Sequence, residues 1–539
     1  MLSQFLSFKR CAARRRKYAH IPSWFGLLFA AGLWLVAASS RLPAGESVDL
    51  DGWEDTLPGQ SEEERAARRA CTMCHLFVEP DMLTRKNWAE QILPRMKARL
   101  GVAKPDYASS PEGELIRSRK IYREEPMVPV TDWPLIERYY LDRAPEKAVP
   151  QDAKPEIQIG LRHFRADPPQ VRLGPPTTSL VRIDPDKRRI FMGDDRSRQL
   201  LVLDGVSCRP VSSAPVGNVP VDITEREGGY YVTGLGSFIP TEYWIGELLY
   251  LEKDGVGFGN RQRILGELPR TTQSVFCDLN ADGLEDVVLC MFGNLTGRFS
   301  WFEQLPEGGY REHVLTDHTG ATRVVAHDFN RDGHPDLAVL FSQDLEMLVL
   351  LINDGKGGFT GETVFQESPV FGHSYFELAD FNADGRMDLL VCSGDNGEYE
   401  SPTKRYHGIR LWLDRGDLQF EQAWFYPMNG CYGVRARDFD EDGDLDIAAI
   451  SYFPDYAAAP RESFVYLENQ GGLEFKASTF KECVTGRWLL LDAGDIDADG
   501  DVDLVLGSYV LGPTEAPKPL MDLWEKRGAA VQILRNTLR

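Results

Sequence analysis

Short apolar runs recur along the C-terminal two thirds of the chain, each directly after an acidic segment. The runs occupy residues 287–289, 337–339, 389–391, 447–449 and 504–506. Short, partly β-branched runs that are bounded by turn residues are typical of buried strands. The acidic segments before them share the pattern D-x-[DN]-x-D-G-x-x-D. Each segment is therefore predicted to be a loop that joins two strands.

A second marker repeats in step with the first and completes a four-stranded unit. Glycine-containing turns that end on an aromatic residue lie 18 to 21 residues before the next acidic segment. The aromatic residues are Phe258, Tyr310, Phe359, Phe420 and Phe475. Successive acidic segments begin 50, 52, 58 and 57 residues apart. Four strands per repeat at this spacing predict the blades of a β-propeller.

Two degenerate repeats precede the five acidic ones, at residues 181–186 and 221–223, which brings the expected number of blades to seven. The last blade stops at residues 531–536, where the others begin their aromatic turn, so it lacks an outer strand. Phe164 lies 20 residues before Asp184, the same spacing as in the other blades. A strand within 160–173 is therefore expected to complete the last blade and close the ring, which removes an exposed sheet edge. The fold class is predicted to be mainly all-β, a seven-bladed propeller over 159–539.

The acidic loops present oxygen atoms in a pattern that suits a hard cation. Positions one, three, five and nine carry Asp or Asn, and Gly at position six turns the chain. The first six positions agree with an EF-hand loop, but Glu at position twelve and the following helix are missing. The candidate ligands are Asp278, Asn280, Asp282, Asp286, Asp328, Asn330, Asp332, Asp336, Asp380, Asn382, Asp384, Asp388, Asp438, Asp440, Asp442, Asp446, Asp495, Asp497, Asp499 and Asp503. We expect up to five calcium ions; the alternative is a set of acidic turns that bind nothing.

These repeats resemble the FG-GAP/VCBS family of integrin-alpha-like calcium propellers. The resemblance covers about 160–539 and is strongest over 270–510. It implies a scaffold that presents loops, commonly for contacts with proteins or glycans, and it implies no particular reaction.

The first 40 residues have the pattern of a targeting segment. Six basic residues precede an apolar run at 24–38, and Ser39 and Ser40 follow. This arrangement predicts either a cleaved secretory signal or an uncleaved N-terminal membrane anchor, since the run is short for a spanning helix. Both alternatives export the rest of the chain, to the periplasm or the outer face of the cytoplasmic membrane. Residues 41–59 are expected to be a linker.

Residues 60–145 carry the redox chemistry. Cys71-Thr72-Met73-Cys74-His75 is the sequence to which c-type haem attaches, with His75 as the proximal ligand. The alternatives are a redox Cys-x-x-Cys or a zinc half-site, but residues 45–150 contain no other His or Cys. A capping box at 61–64 and Pro134 predict two flanking helices. The segment resembles a small class I-like cytochrome c domain, in which the two terminal helices cross.

Three methionines follow the motif, and one of them is expected to be the distal ligand. Met96 is preferred because small exported cytochromes often show a Trp…Met pattern like that of Trp88 and Met96. Met127, between two prolines and before the last helix, is the alternative. Met82 lies too near the attachment site. Residues 146–158, which contain two prolines, are expected to link this domain to the propeller.

Composition and charge exclude some kinds of binding partner. With 42% hydrophobic and 26% charged residues the chain is globular, and its formal net charge of −22 argues against nucleic acid as the main partner.

Five polar residues lie at equivalent positions before the acidic segments, in the loops that enter the innermost strands of the predicted blades. They could surround one mouth of the central channel and bind an anionic ligand or a partner, but we prefer the interpretation that they are ordinary polar loop residues. They are Arg270, Arg323, His373, Tyr432 and Arg487. The six cysteines outside both the haem motif and the targeting segment are expected to be buried thiols.

Together these patterns predict an exported mono-haem electron-transfer protein. The calcium-stabilised propeller would be a partner-binding scaffold, and the partner a redox protein or a membrane respiratory complex. The first alternative is a fused oxidoreductase, in which the propeller binds and oxidises a small molecule or sugar and passes electrons to the haem. The second is a calcium-dependent adhesion module.

Overall fold

A computed structural model of the chain describes residues 60–397, 403–512, 514 and 516–539. The predicted signal or anchor at 1–40 and the linker at 41–59 lie outside these residues. Of the helices in the described residues, none is long and apolar enough to cross a membrane.

The described residues of the propeller form seven antiparallel four-stranded sheets, one of which gains a fifth strand. Blade 1 comprises β3 (Thr178–Asp184), β4 (Arg189–Asp194), β5 (Gln199–Asp204) and β6 (Pro210–Pro215). Blade 2 comprises β7 (Pro220–Arg226), β8 (Gly229–Gly234), β9 (Gly246–Asp254) and β10 (Gly257–Leu268). Blade 3 comprises β11 (Thr271–Cys277), β12 (Asp286–Met291), β13 (Arg298–Gln304) and β14 (Tyr310–Thr316). Blade 4 comprises β15 (Ala321–His327), β16 (Asp336–Phe341), β17 (Met347–Asn353) and β18 (Phe359–Gln366).

The remaining three blades follow the same order. Blade 5 comprises β19 (His373–Ala379), β20 (Asp388–Ser393), β21 (Gly408–Asp414) and β22 (Phe420–Pro427). Blade 6 comprises β23 (Cys431–Arg437), β24 (Asp446–Ser451), β25 (Phe464–Asn469) and β26 (Phe475–Thr479). Blade 7 comprises β27 (Trp488–Gly494), β28 (Asp503–Ser508), β29 (Val531–Asn536) and β2 (Phe164–Ala166). The first strands of successive blades contact one another around a closed ring, with β27 against β3. The prediction of a mainly β, seven-bladed propeller is confirmed.

Ring closure also follows the prediction. Strand β2 pairs antiparallel with β29, so a segment from before blade 1 supplies the outer strand of blade 7. One feature was not predicted: β1 (Gln158–Ile159) pairs in parallel with β26 and adds a fifth strand to blade 6. Residue 158, assigned to the linker from the sequence, thus belongs to a sheet, and the propeller begins one residue earlier than expected.

The recurrent apolar runs form the second strand of each blade. Strands β12, β16, β20, β24 and β28 are buried at every position. Their side chains pack against the neighbouring blades on both sides, which is why these runs lack the alternation of polar and apolar residues seen in half-exposed strands.

The segment before the propeller is helical. It contains α1 (Glu62–Cys71), α2 (Arg85–Asn87), a π-helical turn (Trp88–Ile92), α3 (Leu93–Arg99), α4 (Gly113–Ser118) and α5 (Trp133–Arg143). As predicted, α1 ends at the first cysteine of the motif, and α5 begins beside Pro134. The two helices pack together, with alanines of α1 and aromatic residues of α5 in one core. Tyr140 lies against Trp88, with ring centroids 4.0 Å apart. A further helix, α6 (Lys518–Arg527), is inserted between β28 and β29.

Polar contacts fix the helical segment to the propeller at two places. Arg119 donates to the buried carboxylate of Glu242 at 2.9 Å and to Thr296 Oγ1 at 2.6 Å, on the side of blades 2 and 3. On the side of blade 5, Arg405 donates to Asp81 Oδ2 at 2.8 Å. The connecting residues are held as well, because Gln151 Nε2 donates to a carbonyl of the propeller at 2.9 Å. The helices therefore sit over one end of the ring of innermost strands.

Candidate functional site

A cavity of about 1560 Å³ lies between the helical segment and one end of the propeller. Each of the seven innermost strands contributes to its wall, through Ser179, Val221, Thr272, Thr322, His373, Tyr432 and Leu489. These residues lie at the N-terminal ends of the strands, so the mouth of the central channel opens into the cavity. Sites for small molecules usually enclose about 300–1,000 Å³. The cavity therefore has room for more than one bound group.

The opposite wall carries the Cys-x-x-Cys-His motif. Cys71, Cys74 and His75 all line the cavity. The Nδ1 atom of His75 lies 2.9 Å from the carbonyl oxygen of Leu76. Because a carbonyl only accepts hydrogen bonds, this contact assigns the proton to Nδ1 and leaves a lone pair on Nε2. In metal sites, a hydrogen bond donated by the ring nitrogen that does not bind the metal orients the histidine and makes the ligating nitrogen more basic. Two thiols and one such imidazole on a single cavity wall fit the attachment of a haem.

The same wall brings together both methionines that the sequence favoured. Met96, in α3, and Met127 are half-buried and line the cavity. The backbone amide of Met127 donates to the Leu100 carbonyl at 2.9 Å, which holds the segment before α5 against the end of α3. Met82 is not among the lining residues; its carbonyl accepts a hydrogen bond from Tyr406.

The cavity is cationic although the chain is acidic. Nine of its lining residues are Lys or Arg and five are Asp or Glu, against a formal net charge of −22 for the whole chain. Three of these arginines pair with carboxylates: Arg182 lies 2.7 Å from Asp222, Arg435 lies 3.2 Å from Asp492, and Arg198 lies 3.4 Å from Asp195.

Arg270 and Arg323 are held by neutral groups. Arg270 donates to three backbone carbonyls at 3.0 to 3.3 Å, those of Ser237, Phe238 and Gly293. Burial lowers the pKa of Arg270, which is the expected response of a desolvated cation. Arg323 donates through Nε to the Phe376 carbonyl at 2.7 Å, and its guanidinium lies 3.9 Å from the Tyr375 ring centroid.

His373 and Glu346, which also line the cavity, are in contact and both buried. The sequence pattern singled out His373 but not Glu346. The His373 amide donates to Glu346 Oε2 at 2.8 Å, and both residues are at most 2% exposed. Neither ring nitrogen of His373 has a hydrogen-bond partner within the described part of the chain. Burial lowers the pKa of His373 to about 3, so its imidazole is neutral. Burial raises the pKa of Glu346 well above its usual value. Glu346 was missed because nothing in its local sequence sets it apart from a loop carboxylate.

Of the five polar residues at equivalent positions, the structure brings four to this cavity. Arg270, Arg323, His373 and Tyr432 line it. Arg487 is 1% exposed and points elsewhere, donating to the Tyr452 carbonyl at 3.2 Å and to Thr514. The interpretation of these residues as ordinary polar loop positions therefore does not hold for four of them, because these four line one cavity. Among the described residues, the six cysteines outside the motif are free thiols, five of them buried and Cys277 partly so.

The five acidic loops lie at the other end of the blades, because they follow the C-terminal ends of the innermost strands. All five have the same backbone. In each, the first Asp accepts a hydrogen bond from the amide of the glycine at position six, at 2.8 to 3.1 Å. That glycine has a φ between +80° and +102°, and the residue at position four is also left-handed. The tight turn keeps the side chains of positions one, three and five within one short loop.

The Asp at position nine has a further role that the sequence did not show. It is fully buried in every loop: Asp286, Asp336, Asp388, Asp446 and Asp503. One oxygen accepts the amide of position two at 2.9 to 3.2 Å. The other accepts an amide from the third strand of the blade or its end at 2.7 to 2.9 Å. Each carboxylate oxygen has two lone pairs, so these bonds leave capacity for a cation.

Two loops show convergent carboxylates directly. One oxygen each from Asp438, Asp440 and Asp442 lies within 4.8 Å of the others. Asp495, Asp497 and Asp503 form a second such group. In the other three loops position three is Asn, which offers an amide oxygen instead. Oxygen atoms this close repel one another, and a divalent cation offsets that repulsion.

The comparisons with known proteins agree with the repeat structure. The family of the FG-GAP-like repeat matches residues 278–339 and 328–391. No curated protein matches the chain.

Solved propellers are similar at low identity. The WD40 domain of Neurospora crassa Pan2 is 8% identical, with 68% of this chain and 90% of that chain covered and a TM-score of 0.42. The β-propeller domain of Myceliophteria thermophila Cps50 (Swd1) is 12% identical, with 70% and 100% covered and a TM-score of 0.42. The N-terminal domain of Nup159 is 10% identical, with 72% and 97% covered and a TM-score of 0.36. The chain thus carries FG-GAP-like repeats within a seven-bladed β-propeller.

Proposed function

We propose that this chain is an exported mono-haem c-type cytochrome that transfers electrons, with the propeller as its partner-binding scaffold. The observation that supports this most is the arrangement of Cys71, Cys74 and His75 on one wall of a large cavity, with the Nδ1 proton of His75 engaged by a carbonyl. The two thiols would form the covalent links and His75 Nε2 the proximal bond. A haem bound there would supply one-electron exchange between ferric and ferrous iron.

Met96 is the proposed distal ligand, and Met127 is the alternative on the same wall. With both axial positions filled by the chain, the site would pass electrons and leave no open position for substrate. The redox partner would be a protein or a membrane respiratory complex. A location in the periplasm or on the outer face of the cytoplasmic membrane follows from the targeting segment, which would also supply a tether if it is retained.

Calcium would bind in the acidic loops, far from the haem motif. The repeated backbone, the convergent carboxylates of two loops and the buried Asp at position nine all support this assignment. Because up to five ions would bind only the folded loops, calcium would stabilise the propeller by mass action.

A fused oxidoreductase is the second candidate, and one observation favours it. The motif faces the mouth of the channel across a single cavity, so a molecule held by the propeller would lie beside the motif. Turnover of a substrate by the purified protein would move the assignment to this candidate.

Covalent attachment is the direct test of the proposal. The full chain is produced in cells that mature c-type cytochromes, denatured, and examined for haem that stays with the polypeptide by its absorbance and its mass. The wild type is expected to keep one haem, and a Cys71→Ser/Cys74→Ser variant none. Cys208→Ser is the matched control, since Cys208 is a buried thiol of the propeller. A wild-type chain without attached haem would refute the proposal.

A further inference from the structure

Two arginines in the propeller half of the cavity are held by neutral groups, although the lining of that half is nearly balanced, with six Lys or Arg and five Asp or Glu. Arg270 and Arg323 bring two positive charges to the cavity wall. Their hydrogen-bond partners among the described residues are backbone carbonyls, which carry no compensating charge. A guanidinium has five N–H donors, so donors remain on both after these bonds are made. Buried cations are costly unless an anion accompanies them. Burial lowers the pKa of Arg270 by more than Asp395, which also lines the cavity, raises it, so a bound anion would be favoured there.

Aromatic residues surround the two arginines. Phe238, Phe292, Tyr375 and Tyr432 also line the cavity. The Arg270 guanidinium lies 5.5 Å from the Phe292 ring centroid, and that of Arg323 lies 3.9 Å from the Tyr375 centroid. Such walls favour a ligand with an apolar body over a small inorganic ion, because the body removes aromatic surface from water.

The haem motif has separate cations of its own. Arg95, Arg99 and Arg123 line the helical wall of the cavity. These side chains would suit the propionate groups of a haem. The propeller arginines are then left for a second anion, and the volume of the cavity allows one.

Two apolar side chains on the cavity wall reach solvent. Ile239 and Leu511 line the cavity and are 78% and 52% exposed, respectively. Ile239 lies in the loop of blade 2 that also carries Glu242, the partner of Arg119, and Leu511 lies in a loop of blade 7. A small molecule would enter past these two apolar side chains.

We propose that the propeller half of the cavity binds an organic carboxylate with an apolar or aromatic body, held by Arg270 and Arg323 beside the haem motif. This inference rests on the proposed function for the identity of the neighbouring group. It makes the propeller a ligand-binding element in addition to a scaffold.

Isothermal titration calorimetry of the haem-matured full chain tests this with benzoate as the probe. Benzyl alcohol, without the charge, and inorganic phosphate, without the ring, are the comparators. Benzoate is expected to bind more tightly than either. Arg270→Gln and Arg323→Gln are each expected to weaken benzoate about tenfold, the effect of losing a hydrogen bond between charged groups. Arg311→Gln is the matched control, because Arg311 is 60% exposed on an outer strand and should leave binding unchanged.

Ile239→Asp tests the entry route without touching the core. The position is exposed, so the fold should be unaffected, and the added negative charge is expected to weaken benzoate a few-fold. The visible spectrum of each sample reports the haem independently, which separates failure of this inference from failure of the proposed function.

Three results would overturn the inference. Benzoate binding that both arginine variants leave unchanged is the first. Phosphate binding as tight as that of benzoate is the second. The third is a change in the haem spectrum on Arg270→Gln with no benzoate binding by the wild type, which would assign this arginine to the haem.

Discussion

Replacing the buried Asp at position nine separates its structural role from cation binding. In blade 4, Asp336→Ala removes the acceptor of two backbone amides, those of Phe329 at 2.9 Å and Asn353 at 2.8 Å. Asp336 is fully buried, so water cannot replace it. An unsatisfied buried donor costs about 1–3 kcal/mol, so the variant should lose about 2–6 kcal/mol of its free energy of unfolding. This loss should appear even with a calcium chelator present.

Asp332→Ala in the same loop is the matched control. Asp332 is exposed, and its Oδ1 accepts the amide of His334 at 2.9 Å, a bond that water can replace. In chelator this variant should lose less than about 1 kcal/mol. With calcium it should lack roughly one fifth of the stabilisation that the wild type gains, since one of five proposed sites is removed.

Urea unfolding followed by tryptophan fluorescence, with chelator and with calcium, measures both effects. If Asp336→Ala unfolds like the wild type in chelator, the reasoning about the buried hydrogen bonds is wrong. If Asp332→Ala responds to calcium as fully as the wild type, the proposed ligand set is wrong.

Three further predictions concern the ligands, the ions and the attachment of the helices. Met96→Ala should convert the reduced haem to a form that binds carbon monoxide, whereas Met82→Ala should not; a change with Met127→Ala alone would reassign the distal ligand. Chelation should lower the melting temperature of the wild type, and an unchanged melt would refute calcium binding. Arg119→Ala should destabilise the chain by about 3–5 kcal/mol, because it leaves the buried Glu242 carboxylate without its cationic partner, whereas Arg117→Ala, at an exposed position, should have little effect. Equal unfolding midpoints for these two arginine variants would contradict that reasoning.

The propeller was predictable because its information is local and repeated. Each acidic loop, apolar run and aromatic turn lies within one blade, and five copies in register locate even the degenerate blades and the closing strand near Phe164. The added strand β1 was not predictable, because its two exposed residues have no pattern of their own.

The cavity depends on contacts between distant parts of the chain, and so only its components were visible in the sequence. Arg119 and Glu242 are 123 residues apart, and nothing local indicates that the helices cover the channel mouth. Equivalent positions in the repeats identified four of the lining residues, Arg270, Arg323, His373 and Tyr432. The same rule wrongly included Arg487, which is buried outside the cavity by hydrogen bonds to Tyr452 and Thr514. The burial of Glu346 depends on how the rest of the chain packs around its loop, and no spacing of residues in the sequence predicts that packing.

The central claim is that His75 and a methionine hold a haem for electron transfer. Visible spectra of the haem-matured full chain, oxidised and reduced, with and without carbon monoxide, test it most directly. A low-spin iron whose reduced spectrum does not change with carbon monoxide is the predicted result, since both axial positions would be occupied. Ready binding of carbon monoxide would contradict it, exclude Met96 as a firm ligand, and direct attention to chemistry at the haem itself.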